Sequence, residues 1–145
     1  MKKVIGLYGK GTCGKTSTLN KLIDLFSTKY GQPKYKERYS ENDIRVTFSL
    51  EDKVICIATG GDSGSILEAN CKYFEKHNFD IAISATRTSG DSCSTLIDFE
   101  IRYETEGIEW HKKCIESFGK ENYQDIINTI EANELFEYLV VNCVN

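Results

Sequence analysis

The sequence predicts a three-layer α/β domain: a mostly parallel sheet of about five strands, with one antiparallel hairpin strand, covered by helices on both faces. Three observations predict it. Short apolar runs bounded by turn residues alternate with amphipathic stretches of helical period. A glycine-rich loop joins the first such run to the first such helix. Two neighbouring apolar runs at 44–58, separated by Glu51-Asp52, read as a hairpin rather than a crossover. A chain of 145 residues suits one domain spanning 1–145 and is too short for two full cores.

The elements follow in order. Lys3-Val4-Ile5-Gly6-Leu7-Tyr8 is a short apolar run that reads as a buried strand, central in a parallel sheet. Leu19, Leu22, Ile23 and Phe26 fall at i, i+3, i+4 and i+7, the mark of an amphipathic helix. It ends near Tyr30-Gly31, where glycine can cap and Pro33 prevents a restart. Residues 32–43 are polar and read as an exposed connection. Ile44, Val46, Phe48 and Leu50 alternate with polar partners like a half-buried strand, and Val54–Ala58 reads as a more buried one. Ile66, Leu67, Cys71, Tyr73 and Phe74 predict a helix ending around Asn78, where His77 would sit at a terminus that mildly favours a cation. Ile81-Ala82-Ile83 is a further buried strand, and 86–92 a loop.

Residues 95–103 are ambiguous. Phe99, Ile101 and Tyr103 alternate like a strand, but a crossover between parallel strands calls for a helix, which is the reading taken. Ile108 to Ile115 reads as the last strand, and Tyr123 to Val140 as one long helix or two with a break near Asn133.

Composition narrows the function classes. Apolar residues make up 40% and charged residues 28%, a globular balance that excludes intrinsic disorder. Eighteen Lys and Arg against 22 Asp and Glu leave a net charge of −4, so the basic excess of a non-specific nucleic-acid binder is missing. No apolar run reaches transmembrane length, and Val4–Leu7 is too short for the apolar core of a signal peptide, so a cytoplasmic protein with no membrane partner is expected. The six cysteines form no C-x-x-C pair, and His111 with Cys114 makes a lone H-x-x-C pair, so reduced thiols rather than a zinc site are expected.

Gly9-Lys10-Gly11-Thr12-Cys13-Gly14-Lys15-Thr16 matches G-x-x-x-x-G-K-[ST] in full, after a predicted strand and at the start of a predicted helix. The chemistry of this spacing is specific. Glycines permit backbone angles that let successive N–H groups point inward around an anion. The start of the following helix adds about half a positive elementary charge. In this pattern Lys15 reaches the β- and γ-phosphates, and the Thr16 hydroxyl ligates Mg²⁺.

On these residues the chain resembles the P-loop NTPase superfamily, closely over residues 3–30 and by order of elements beyond. The string from Gly9 through Ser17 is also similar to the deviant Walker A motif of the ParA/MinD and nitrogenase iron-protein group, in which a signature lysine stands where Lys10 stands here. That resemblance implies a nucleotide-dependent homodimer with Lys10 crossing to the partner's phosphates; the plainer reading of Lys10 is a solvated side chain at an unconstrained position. Thr12 departs from that group's pattern.

The superfamily implies an acid near the loop for Mg²⁺. After Val54–Ala58 come Thr59, Gly60 and Gly61, with Asp62 the first acid, so Asp62 is read as metal-assisting or as the N-cap of the next helix. Asp43, before the preceding strand, is a weaker metal candidate. Arg87, just past a predicted strand's carboxyl end, either stabilises transferring charge or pairs with a surface carboxylate. Cys13 is a small spacer within the loop or an oxidation-sensitive thiol. The N-K-x-D string of guanine-specific GTPases is missing from Ser84–Ser89, which favours ATP over GTP.

The resulting expectation is Mg²⁺-dependent binding and hydrolysis of a nucleoside triphosphate. Lys15, Asp62 and Arg87 are the catalytic candidates, Thr16 and Asp62 the metal candidates, and residues 9–17 the nucleotide-binding loop. Two rivals stand beside it: a small-molecule or nucleotide kinase using the same loop, and a non-hydrolysing switch whose bound nucleotide controls a partner.

Overall fold

A computed structural model describes residues 2–11, 13–115 and 121–144. It is an α/β structure built on a six-stranded sheet. In chain order the elements are β1 (Lys3–Tyr8), α1 (Lys15–Tyr30), β2 (Tyr35–Arg38), β3 (Ile44–Ser49), β4 (Val54–Ala58), α2 (Gly64–Lys76), β5 (Ile81–Thr86), α3 (Asp91–Tyr103), β6 (Ile108–Lys112) and α4 (Glu121–Leu139). A π-helical turn, Val140–Val144, closes the described chain.

The sheet order is β2-β3-β4-β5-β1-β6. β4, β5, β1 and β6 are mutually parallel, while β3 runs antiparallel to both β4 and β2. One reversed strand is thus set in an otherwise parallel sheet. The chain leaves β1 toward the β3–β4 side, then returns through β5 and passes over β1 to reach β6. In open α/β sheets such a reversal opens a crevice at the carboxyl ends of the strands.

Strand residues divide between two cores by alternation. Ile5, Leu7, Ile55, Ile57, Ile81 and Ile83 join Leu19, Leu22, Ile23 and Phe26 of α1 and Leu135 and Leu139 of α4. Val4, Cys56, Ala58 and Ala82 join Leu67, Cys71 and Phe74 of α2 and Leu96 and Phe99 of α3. Phe26 anchors the first core, its ring centroid 5.5 Å from Phe48 and 5.1 Å from Phe136. Each fully buried side chain of this size contributes about 1.5–3 kcal/mol. Among the described residues no helix is long and apolar enough to cross a membrane.

Several expectations need correction. Residues 32–43 are not merely a connection: Tyr35–Arg38 form edge strand β2, exposed throughout, which is why no apolar pattern announces it. β3 is not half-buried, since Ile44 through Phe48 are all buried. Its polar members are satisfied beneath α2 rather than by water: Arg45 donates to Asn70 Oδ1 and Glu37 Oε1, each at 2.7 Å, and Thr47 donates to the Tyr73 hydroxyl at 2.8 Å. Alternation of polarity cannot distinguish these two situations. β6 stops at Lys112, three residues before the expected end; the Lys113 N–H still donates to the Tyr8 carbonyl at 2.8 Å, and its ammonium meets Glu131 of α4. Residues 95–103 are helical, the reading taken, and α4 is one helix through Asn133, the first of the two readings for it.

Candidate functional site

Parallel register brings Tyr8 level with Thr86 and Lys112, and Ala58 level with Ser84. Gly9, Thr59, Arg87 and Lys113 therefore leave the sheet at one margin. The reversed direction of β3 delivers its first residues to that same margin, with Arg45 opposite Ala58. Asp43 arrives there for this reason, although it lies far from the loop in sequence.

The loop after β1 passes into α1 through Gly14, whose φ of +93° is one that side chains rarely adopt. A Cβ there would also strike the carboxamide of Asn128 on α4. No side chain caps the start of α1, so its first N–H groups face the cavity without a protein acceptor from a capping residue. Helix N-termini of this kind favour anions. Lys15 is 5% exposed. Its ammonium donates to the carbonyls of Gly9 at 2.6 Å and Lys10 at 3.1 Å, and stands 3.5 Å from Asp62 Oδ1. Cys13 is buried and packs against Gly9, which fits a spacer. The Lys10 side chain is exposed. Gly14, Lys15, Thr16 and Ser17 line an open cavity at this margin, and Thr12 lies outside the described residues.

Thr16 separates the two acid candidates. Its hydroxyl donates to Asp43 Oδ1 at 3.1 Å and lies 3.3 Å from the Thr59 carbonyl, while the Thr59 hydroxyl donates to the same Asp43 oxygen at 3.1 Å. Asp62 instead meets the two cations, with Oδ1 3.5 Å from both Lys15 Nζ and Arg87 Nε. The N-cap of α2 is Ser63, which accepts from the Ile66 N–H at 3.2 Å, so the N-cap role read for Asp62 is not taken. The Arg87 guanidinium lies over Gly11, where a Cβ would come within 3.0 Å of it. An open cavity of about 680 Å³ joins Lys15, Thr16, Asp43, Thr59 and Asp62 and continues along α1 past Asn20 and Asp24.

Three further groups carry no sequence signal of their own. Asn128 and Gln124 of α4 back the loop, Gln124 donating to Asn128 Oδ1 at 2.8 Å and to the Cys13 carbonyl at 3.4 Å. Lys113 is buried and donates to Glu131 Oε1 at 2.6 Å, tying the end of β6 to α4. Tyr39 accepts the Gly60 N–H at 2.9 Å. Burial, reinforced by the nearby Asp43 carboxylate, pushes its phenol pKa up to about 12, so the hydroxyl keeps its proton at any physiological pH.

The Thr16 hydroxyl and the Asp43 carboxylate are hard oxygen donors of the kind that could hold Mg²⁺. Among the described residues no group of three or more His, Cys, Asp and Glu gathers that could hold a metal ion. Neither a protein-family model nor a curated protein matches the chain, so its functional reading rests on this geometry.

Proposed function

We propose that the chain is a P-loop protein that binds and hydrolyses a nucleoside triphosphate, preferentially ATP, with Mg²⁺. The observation that carries this is the buried Lys15 ammonium, folded onto its own loop carbonyls beside the uncapped start of α1 and next to the Thr16–Asp43 pair. A buried ammonium held by two carbonyls and one distant carboxylate is poised to exchange them for phosphate oxygens. The loop amides and Lys15 would hold the β- and γ-phosphates. Arg87, already over Gly11, would neutralise charge building on the transferred group. Asp62, released from the two cations as phosphate oxygens replace it, would take the proton of the attacking water as the water oxygen bonds to the γ-phosphorus and the diphosphate leaves. Thr16 and Asp43 would hold the magnesium ion, whose contribution is to neutralise the phosphate oxygens as a Lewis acid.

The six free cysteines suit a reducing cytoplasm. The Lys10 side chain is exposed and, among the described residues, makes no hydrogen bond or ion pair, as a cross-subunit contact in a nucleotide-dependent homodimer would require.

One observation favours the kinase reading. A second cavity of about 440 Å³ shares Asn20 and Asp24 with the first and extends to Ser27, Lys36 and Arg38, room for an acceptor beyond the triphosphate.

Phosphate release from ATP with Mg²⁺ tests the proposal. Lys15→Ala should weaken nucleotide binding by about tenfold or more, the value of a lost charge-assisted hydrogen bond. Affinity equal to the parent would count against the loop. Release only on addition of a hydroxyl acceptor would select the kinase, and tight retention without turnover the switch.

A further inference from the structure

Tyr39 stands in the segment between β2 and β3, at the corner where Gly60 leaves β4. Its ring is fixed from outside the site: the Arg45 guanidinium lies 3.7 Å from the ring centroid, and Arg45 is itself held by Glu37 and Asn70. Asn70 also donates to the Gly60 carbonyl at 2.9 Å, so Gly60 is gripped through its N–H by Tyr39 and through its C=O by α2. A Cβ on Gly60 would collide with both the Tyr39 hydroxyl and Asp43 Oδ2, which shows that phenol and carboxylate converge on one small space. The hydroxyl oxygen lies less than about 9 Å from Thr16 Oγ1, given the 2.9 Å and 3.3 Å links through the Gly60 N–H and the Thr59 carbonyl and standard peptide dimensions.

A phenol carries one donor besides its acceptor lone pairs. Here the lone pair is used by Gly60, and among the described residues no acceptor takes the proton. A hydroxyl donor that is held in place and unused, set beside the Thr16–Asp43 pair, suits an anionic oxygen that arrives with a ligand.

We propose that Tyr39 is a specificity-determining residue that donates to an oxygen of the terminal phosphate and makes the site prefer a triphosphate to a diphosphate. The inference rests on the triphosphate reading above. The loop amides and the start of α1 would hold the β-phosphate and Lys15 would bridge to the γ-phosphate, whereas Tyr39 stands on the Gly60 side of Thr16, where only the terminal phosphate would come near it. A diphosphate leaves that corner to water.

Tyr39→Phe tests it, because the ring remains over Arg45 and only the hydroxyl is lost. Calorimetric titration with a non-hydrolysable ATP analogue and with ADP, each with Mg²⁺, should show the analogue weakened about tenfold or more, as expected for a hydrogen bond to a charged group. ADP affinity should stay within about twofold of the parent, and thermal melting of the variant should stay close to the parent's. A loss shared equally by both nucleotides assigns Tyr39 to holding Gly60 alone and overturns the inference, as does an unchanged preference. A parent that binds neither nucleotide removes the triphosphate reading, and the inference with it; a parent that binds both with Lys15-dependent affinity leaves that reading standing whatever Tyr39→Phe does.

Discussion

Asp43 and Asp62 are alike as residues and differ only in what they face. Thr16 and Thr59 both donate to Asp43, while Asp62 faces Lys15 and Arg87. Asp43→Asn should therefore raise the Mg²⁺ concentration for half-maximal phosphate release about tenfold or more. Asp62→Asn should leave it within about twofold and lower turnover instead. A magnesium titration of both variants decides the matter, and the opposite ranking would give the metal to Asp62. The sequence made Asp62 the first candidate because it follows the buried strand β4 at short range. Asp43 carries no such spacing. The predicted hairpin already reversed β3, yet a lone aspartate before that strand does not show that its carboxylate will meet the Thr16 and Thr59 hydroxyls. The loop pattern was visible because it lies in contiguous residues, whereas Asn128, Lys113 and Tyr39 belong to segments that the fold alone brings near.

At the scale of elements, edge strand β2 is held to the body partly by rings. His77, the C-cap of α2, lies 4.4 Å from Tyr73 and 4.7 Å from Tyr35, centroid to centroid. Burial first, and the charge of Lys76 second, hold its imidazole pKa below the ordinary 6.5. The helix terminus alone would have favoured the cation, so packing outweighs the dipole here. A depressed folded pKa means stabilisation that is present above the unfolded value and lost as pH falls through the folded one. Amide exchange across Tyr35–Arg38 should accelerate between pH 7.5 and pH 5, beyond the intrinsic pH dependence of exchange, and His77→Gln should abolish that excess. An excess that survives the substitution would place the titrating group elsewhere. The strands of the central sheet were readable because they are short and apolar on both faces. β2 was not, because a strand exposed at every residue has no pattern to show.

For the whole molecule, the link between β6 and α4 matters beyond its two residues. Lys113 is buried against Glu131, and the same helix carries Asn128 and Gln124 to the back of the loop. Glu131→Ala leaves an ammonium without its carboxylate and should cost about 3–5 kcal/mol in urea unfolding. Lys113→Met combined with Glu131→Leu should recover most of that loss, because apolar replacement of a buried pair is often close to neutral. A cost under about 1 kcal/mol for the single variant would show that water reaches the ammonium. The α/β class was legible from periodicity, yet the pairing that fastens the last helix was not, since it joins residues 18 apart in the chain.

The sheet has two margins with different work. Loop, acids and cations gather where the parallel strands end, while the tight turn at Glu51 and Asp52 projects from the opposite margin, exposed and closed by the Leu50 N–H to the Lys53 carbonyl at 2.8 Å. That turn is a natural handle: a fluorophore or surface tether attached there leaves the cavity pointing away from its anchor and open to bulk solution.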